Sequence, residues 1–375
     1  MSIVIQKVTS NRDLNRFIRF PFRLYSGCPQ WLPPILMDEK RTLRKDKNPA
    51  FDHCKSCYWL AYKNKKVAGR IAGIINEKYI EKWGNRYARF GWVDFIDDLE
   101  VSRALFNAVE SWARQNGMTG IHGPLGFTDL DKEGLLTEGF EEPGTMLMLY
   151  NHAYYKEHIE KHGYTKDAEW VEYQIRTPEK IPEKIIRVGQ LALKRGGFRL
   201  VEAKKPKDLK PFAHEVFEVL NDEYAELYGT VPLTEKQIDS YVKQYFSFID
   251  PRFNKVILDK AGRVAAFGIA LPSLTKALQK SRGRLFPIGF IYFLSAMKNP
   301  TSLDLGLVAV RSEYRKLGLP AILMTETTKA AIESGIEFSE SSGELEDNDR
   351  IQAFWRHYNA RLHKRRRAYF KSLTL

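Results

Sequence analysis

Leu303-Asp304-Leu305-Gly306-Leu307-Val308-Ala309-Val310-Arg311-Ser312-Glu313-Tyr314-Arg315-Lys316-Leu317-Gly318-Leu319-Pro320, continued by Ala321-Ile322-Leu323-Met324, is the stretch on which the fold turns. Its first half alternates as a strand does, which predicts a strand over 303–310. The chain then enters a loop carrying Arg315 and Gly318 and leaves it through a helix expected to start at Pro320 and run to about 334, where Gly335 ends it. Proline suits a first helical position because its missing N–H has no partner there anyway. The free N–H groups at a helix start, with the macrodipole, create an anion site. Gly318 lets the main chain approach a phosphate, and Arg315 and Lys316 add positive charge. By alternation, Asp304, Gly306, Val308 and Val310 are expected on one face of the strand.

Upstream lies a hairpin: apolar runs at 255–258 and 263–271 flank the turn Asp259-Lys260-Ala261-Gly262. The N-terminal half repeats the order. Runs at 58–62 and 67–75 read as a hairpin, and a strand over 90–96 leads into a helix with Val101, Leu105, Val109 and Trp112 at helical spacing. Asp98 is its expected N-cap and Gly117 its stop. Each half then offers another strand, 120–123 and 336–339, and a short helix containing Asn151 or Asn348. Thr177-Pro178-Glu179-Lys180-Ile181-Pro182-Glu183, two prolines among charges, reads as the linker, so the expected domains are 1–178 and 179–375. Matching order at this length marks a duplicated domain rather than a solenoid.

Composition agrees. A chain of 375 residues with 43% hydrophobic and 28% charged residues is neither collagen-like nor wholly disordered, and its length suits two domains. The net charge of +13 favours polyanionic or phosphorylated partners. Three cysteines, Cys28, Cys54 and Cys57, make no disulfide framework. The first residues lack the apolar core of a signal peptide, and the longest apolar run, 285–297, is short of a membrane span and broken by Pro287. A cytoplasmic protein with no membrane partner is the expectation.

Val308-x-Val310 followed by Arg315-x-x-Gly318-x-Pro320 resembles the acyl-CoA pyrophosphate loop of the GNAT N-acetyltransferase superfamily, whose pattern is Gln/Arg-x-x-Gly-x-Gly/Ala after a strand. Glu344-Leu345-Glu346-Asp347-Asn348, with Trp355 seven residues after Asn348, is similar to that family's Asn-to-Tyr spacing. Two positions depart from the pattern: Pro320 replaces a small residue, and Trp355 stands where Tyr is usual. Leu24-Tyr25, Trp31-Leu32-Pro33-Pro34, Gly69-Arg70-Ile71, Gly123-Pro124, Glu138-Gly139-Phe140, Tyr150-Asn151 and Tyr154-Tyr155 look like pieces of uncharacterised bacterial tandem-GNAT proteins.

The resemblance implies a mixed α/β fold of two tandem GNAT-like domains, each a mostly antiparallel sheet flanked by helices. It implies transfer of an acyl group from acetyl-CoA or another acyl-CoA to an amine of a small molecule or protein, directly within a ternary complex. Val308, Val310, Arg315, Lys316, Gly318, Leu319 and Asn348 would bind the acyl-CoA, with the Val310 N–H on the thioester oxygen. Asp304 falls where several members carry a general base. Tyr358 is the expected proton donor, because the indole of Trp355 does not titrate, and Glu344 is a further ionisable candidate. A homodimer is compatible with all of this.

No metal is expected. Cys54-Lys55-Ser56-Cys57 beside His53 lacks a second ligand pair, and His158 and His162 read as solvated histidines on a polar helix face. The first-half loop, Trp92-Val93-Asp94-Phe95-Ile96-Asp97-Asp98-Leu99-Glu100, has no glycine or arginine and four acids where a diphosphate would sit. That half reads as a degenerate copy. The stretch 285–297 reads as a core helix, a dimer face or a substrate wall. The run 350–375 holds eight Lys or Arg and no acid. It supports a rival reading: a non-catalytic GNAT-fold protein binding nucleic acid or another acidic partner, although a terminal strand whose basic side chains face water or the cofactor's phosphates is the simpler account.

Overall fold

The structure is a computed structural model that describes residues 2–374, apart from the side chains of Arg195, Ser247 and Arg350. The Arg350 side chain and Leu375, at the two ends of the basic run, therefore lie outside the described residues. Along the chain come β1 (Ile3–Lys7), α1 (Asn11–Leu24), α2 (Leu36–Thr42), β2 (Cys54–Lys63), β3 (Lys66–Asn76), α3 (Glu77–Trp83), β4 (Tyr87–Phe95), α4 (Leu99–Gln115), β5 (Gly120–Gly123), β6 (Leu135–Glu138), α5 (Tyr154–Lys161) and β7 (Thr165–Arg176). There follow α6 (Glu183–Gly196), β8 (Arg199–Leu200), α7 (Ala213–Glu223), α8 (Glu235–Tyr245), β9 (Lys255–Leu258), β10 (Val264–Pro272), α9 (Thr275–Ser281), α10 (Gly289–Lys298), β11 (Ser302–Val310), α11 (Leu319–Glu333), β12 (Phe338–Ser341), β13 (Glu344–Leu345), α12 (Asp349–Trp355) and β14 (Ala360–Ser372).

These elements form two compact units. The first comprises Met1–Val171, Leu278–Gly289 and His363–Leu375; the second comprises Glu172–Ala277 and Phe290–Leu362. In the first, β1, β2, β3 and β4 pair antiparallel in sequence, β5 lies parallel to β4, and β14 is antiparallel to β5. In the second, β8, β9, β10 and β11 pair antiparallel, β12 lies parallel to β11, and the end of β7 is antiparallel to β12. The order is the same in both, as the duplicated sequence pattern requires. Each unit draws its sixth strand from the other half of the sequence.

The expected elements appear with small shifts, and two expectations are corrected. Asn151 is not helical: it lies before α5 and is buried, its Oδ1 accepting from Leu136 N at 2.7 Å and its Nδ2 donating to Leu136 O at 3.1 Å. Asn348 stands just ahead of α12 as its N-cap. In the first unit α4 buries Val101, Leu105 and Val109 completely, and Asp98 caps it through the amides of Glu100 and Val101. The helix can approach β3 because Gly73 has no side chain: a Cβ there would meet Trp112 and Val109 at 2.8 Å.

The basic side chains of β14 do not simply face water. Arg365 and Arg367 converge on Glu169, at 3.2 and 2.7 Å; Arg365 also meets Glu138 at 3.2 Å, and Lys371 meets Glu110 at 2.8 Å. Lys364 and Arg366 are almost fully buried, and Arg366 donates to the Leu149 carbonyl. Burial alone would raise the Glu169 pKa. The hydrogen bond and charge of Arg367, with Lys166 and Arg365, outweigh it and hold the carboxyl below its ordinary range.

A lowered carboxyl pKa stabilises the fold at pH above the ordinary glutamate value, and that contribution is lost as pH falls through the folded value. Glu169→Gln should therefore cost about 1–3 kcal/mol near neutral pH, the worth of hydrogen bonds to a charged group. The deficit should shrink in acid. Urea melts of both proteins at neutral and acid pH check this.

Candidate functional site

In the second unit β11 stays paired with β10 to its end, but with a register shift at Ile269/Ala270 that leaves Gly306 as an extra residue between Leu305 and Leu307. Its pairing with β12 covers only Ser302–Leu305 among the described residues. There Ser342 closes the contact, its N donating to Leu305 O at 2.9 Å and its Oγ to Gly306 O at 2.8 Å. Beyond that point β11 and β12 part. The bulge also corrects the expected face: one inserted residue reverses the alternation, so Asp304 does not share a side with Val308 and Val310.

The parted edge of β11 is met by the end of α7. The Tyr224 hydroxyl donates to Val308 O at 3.2 Å and accepts from Val308 N at 3.4 Å. The neighbouring Glu223 reaches the loop. Its Oε1 accepts from Ser312 N at 2.7 Å, and its Oε2 holds Arg315 at 2.5 Å. Arg315, expected to serve a phosphate, is here bound to a carboxylate. Lys316 is exposed.

Gly318 is the N-cap of α11 with φ +82°, in the left-handed region. Its Cα faces α6, since a Cβ would come within 3.1 Å of Val188 and 3.3 Å of Ala192. Leu319 is fully buried with Ile322 and Leu323. The helix thus begins one residue before Pro320, which takes its second position rather than the first. Pro320 has no N–H, and Ala321 N is turned back to Gly318 O at 3.1 Å, so the first turn offers fewer amides than an ordinary helix start.

Trp355 and Tyr358 line a cavity of about 30 Å³ together with Ile175, Leu305, Thr328 and Ser339, and Glu344, which is not on its lining, is tied to it through Trp355. The space suits about two waters rather than an acyl chain, so a larger occupant requires it to widen. Trp355 lines it and donates its indole N–H to Glu344 Oε1 at 2.8 Å. Glu344 Oε2 is buried without a hydrogen bond of normal geometry. Burial lifts the Glu344 pKa to about 7, against the lowering effect of Trp355 and Ser341. The Tyr358 hydroxyl is buried too, and burial raises its pKa above the ordinary value.

Asp304, buried, is level with Leu271 on one side and Glu340 on the other, and it does not line the cavity. Asn348 uses its side chain to cap α12 through Ile351 N at 3.5 Å. Sequence reasoning missed Glu223 and Tyr224, which sit some ninety residues before the loop they touch. No local motif marks them.

The first unit builds something else at the corresponding strand. Asp94 is buried and held by Arg70 Nε at 2.7 Å and Tyr25 Oη at 2.7 Å, with Tyr155 Oη 3.0 Å from Tyr25. The histidines expected in solvent are corrected as well. His158 is buried, with Nδ1 2.9 Å from Ser102 Oγ and Nε2 3.0 Å from Asp97, and His162 Nε2 lies 2.8 Å from the same Ser102. Their helix packs that face on α4, so the rings lie inward. Cys54 and Cys57 enter separate cores, and burial pushes the Cys54 thiol up to about 12. Among the described residues no group of histidine, cysteine and acidic side chains could hold a metal ion.

No family profile matches the chain. It is 28% identical over 99% of its length to Protein YghO of Escherichia coli, covering 95% of that protein. It is 29% identical over 98% of its length to the bacterial ceramide synthase of Caulobacter vibrioides, covering 96%. Among solved structures, a tandem GNAT protein from the clavulanic acid biosynthesis pathway matches all of this chain and 99% of its own, with 14% identity and TM-score 0.59. A GCN5-related N-acetyltransferase from Sphaerobacter thermophilus matches all of this chain and 96% of its own, at 10% identity and TM-score 0.51. The chain has the tandem GNAT fold.

Gly318 answers to two demands at once, a left-handed φ and the contact with α6. Gly318→Ala should lower stability by roughly 1–2 kcal/mol for the backbone alone, with more for crowding Val188. Denaturant midpoints measure it, and an unchanged midpoint would contradict the packing described.

Proposed function

We propose that this chain is an acyl-CoA-dependent N-acyltransferase, with residues 179–375 binding the acyl-CoA and residues 1–178 a copy that has lost that role. The observation that carries the reading is the parting of β11 from β12 after Leu305. It leaves main-chain N–H and C=O groups of 306–310 as an edge that an extended amide chain, such as the pantetheine arm of CoA, can pair with. Val308 and Val310 lie on that edge, and Arg315, Lys316, Gly318 and Leu319 follow it at the diphosphate loop. For Arg315 to reach phosphate it must leave Glu223, and for Val308 to pair it must leave Tyr224. Entry of acyl-CoA thus displaces the end of α7. Asn348 acts here through the start of α12.

Acyl transfer needs a neutral amine, a polarised thioester carbonyl and a proton for the thiolate. The amine nitrogen attacks the carbonyl carbon, the C–S bond breaks, the amine loses a proton and the sulfur takes one up. Glu344 is the best-tuned base among the candidates, because a carboxyl titrating near 7 is partly ionised at neutral pH yet still basic. The Trp355 indole, unable to act as an acid, positions the carboxylate instead. Tyr358 is the proton donor to the sulfur. Asp304 supports the strand from within the sheet and is the second candidate base.

Similarity to a bacterial ceramide synthase across nearly the whole chain supports a long-chain amine as the acceptor. Ceramide is an amide of a fatty acid with a long-chain amino alcohol, the bond class this chemistry makes. Calorimetry with acetyl-CoA and palmitoyl-CoA, followed by product analysis with sphinganine and with a short amine, tests the reading. Binding with acylation of the long-chain base is expected. Absence of heat and of thermal stabilisation by either thioester at millimolar concentration would overturn it.

With Glu344 as base, turnover should rise with pH through about 7 as the carboxyl ionises. Glu344→Gln should lower kcat by about a hundredfold or more, abolish that rise and leave acyl-CoA affinity nearly unchanged. The folded pKa lies above the unfolded one, so the stability that goes with neutral Glu344 is complete below the ordinary glutamate range and lost as pH climbs to about 7. The Gln variant should accordingly show a Tm that depends less on pH between those limits.

A further inference from the structure

Glu223 and Tyr224, at the end of α7, touch the same loop and edge that the acyl-CoA reading gives to its ligand, and all the residues concerned belong to the second unit. Glu223 gives one carboxylate oxygen to a main-chain amide, Ser312 N at 2.7 Å, and the other to the Arg315 guanidinium at 2.5 Å. Together those donors are a set that a phosphate takes. The Glu223 side chain is 9% exposed and that of Arg315 49%, so the acid is packed into the loop while the cation rims it. Tyr224 Oη donates to Val308 O at 3.2 Å and accepts from Val308 N at 3.4 Å. Exchanging both bonds with one residue is what a neighbouring strand does. The segment carrying the two residues is closed at its base, where Asn221 and Leu233 exchange two bonds of 2.8 and 3.1 Å. Within it, Thr230 Oγ1 donates to Tyr224 O at 2.8 Å. Before it, Glu215 fastens α7 to the sheet through Val264 N at 2.9 Å.

We propose that the segment 222–232 is an autoinhibitory latch, in which Glu223 stands in for a phosphate and Tyr224 for an amide, so that the protein occupies its own acyl-CoA site. The proposal rests on the acyltransferase reading and adds a selection step to it. With its base tied at Asn221 and Leu233 and its body tied at Thr230, the segment moves away as one piece while Glu215 keeps the helix in place. Opening then exposes the Ser312 amide, Arg315 and the Val308 edge together. A whole acyl-CoA replaces every bond that the latch gives up, so no buried donor is left unpaired. A nucleotide replaces only the bonds of Glu223 and meets its negative charge; a lone amide chain replaces only those of Tyr224. The latch thus favours the complete thioester over free nucleotides. Apparent affinity is the intrinsic affinity scaled by the fraction of molecules that are open, so loosening either contact tightens binding.

The test measures Kd of the full-length protein for palmitoyl-CoA, for ADP, which carries the diphosphate, and for pantetheine, which carries the amides. Glu223→Gln should tighten palmitoyl-CoA and ADP by about tenfold or more, and Tyr224→Phe should tighten palmitoyl-CoA and pantetheine by about two- to tenfold. Each variant should leave the other fragment nearly unchanged. Asp222→Asn controls for charge: it removes an acid one residue away that is 67% exposed and 3.7 Å from Arg311, without touching Ser312 or Arg315. If it tightens ADP as much as Glu223→Gln does, general charge explains the gain and the latch is overturned. Hydrogen exchange without ligand gives a second readout. The Val308 amide should exchange faster in Tyr224→Phe and the Ser312 amide faster in Glu223→Gln, and unchanged exchange at both overturns the proposal. Should Glu223→Gln fail to fold, Tyr224→Phe carries the test through pantetheine and Val308. A wild type that binds palmitoyl-CoA as tightly as both variants sinks the latch and leaves the acyltransferase reading standing. If neither the wild type nor any variant binds palmitoyl-CoA, that reading falls and the latch falls with it.

Discussion

β11 carries one more residue than β10 across the Ile269/Ala270 step, and it loses β12 within a residue of that bulge. A strand paired on both edges has no main-chain groups to spare. Here the parallel partner ends at Leu305, Ser342 ties off the last contact, and the five residues that follow keep a single neighbour. That single-edged run is what lets an external chain or an internal side chain reach the main chain at Val308. The loop and helix beyond inherit their position from it, because Leu319 and Val310 pack into the same small core as Ile322, Leu323 and Phe198. The bulge also sends Asp304 and Val308 to opposite faces, which separates the buried acid from the exposed edge.

Two carboxylates show how surroundings rather than residue type assign a role. Glu169 and Glu344 are both buried, yet their pKa values move in opposite directions. Glu169 has two guanidinium groups within hydrogen-bonding distance and stays ionised, tying β14 in place. Glu344 has only neutral donors, Trp355 and Ser341, which cannot repay the loss of water around a full charge. A group left near neutrality in this way holds or releases a proton easily. Tryptophan at position 355 stood out in the sequence as a departure from the usual Tyr; in space its indole N–H is hydrogen-bonded to the Glu344 carboxyl.

Much of the fold was legible because its signals are local. Alternation gave β9, β10 and β11, the turn at Asp259–Gly262 gave their hairpin, and Asp98 announced α4 three residues ahead of Val101. What escaped was long-range. Nothing near residue 165 or residue 360 says that β7 ends in the second unit's sheet or that β14 ends in the first unit's. His158 and His162 looked solvated because Lys156, Glu157 and Lys161 are polar, yet the same helix turns its other face to Ser102. Glu223 competes for Arg315 from ninety residues away, so the phosphate loop read cleanly as a sequence while its cation was already engaged. Proline at 320 was placed one position early because Gly318, not Leu319, supplies the cap.

The distribution of charge changes what the basic composition means. The densest basic run, Lys364-Arg365-Arg366-Arg367, invites a polyanion when read as sequence. Folded, it is consumed: two of its side chains are buried, and the other two rest on Glu138 and Glu169. Positive charge available to a partner must then come from elsewhere, and the acid-free stretch 273–303 is a place where exposed cations stand without a single neighbouring carboxylate in sequence. Unlike the β14 strand, that stretch also exposes isoleucine, leucine and phenylalanine.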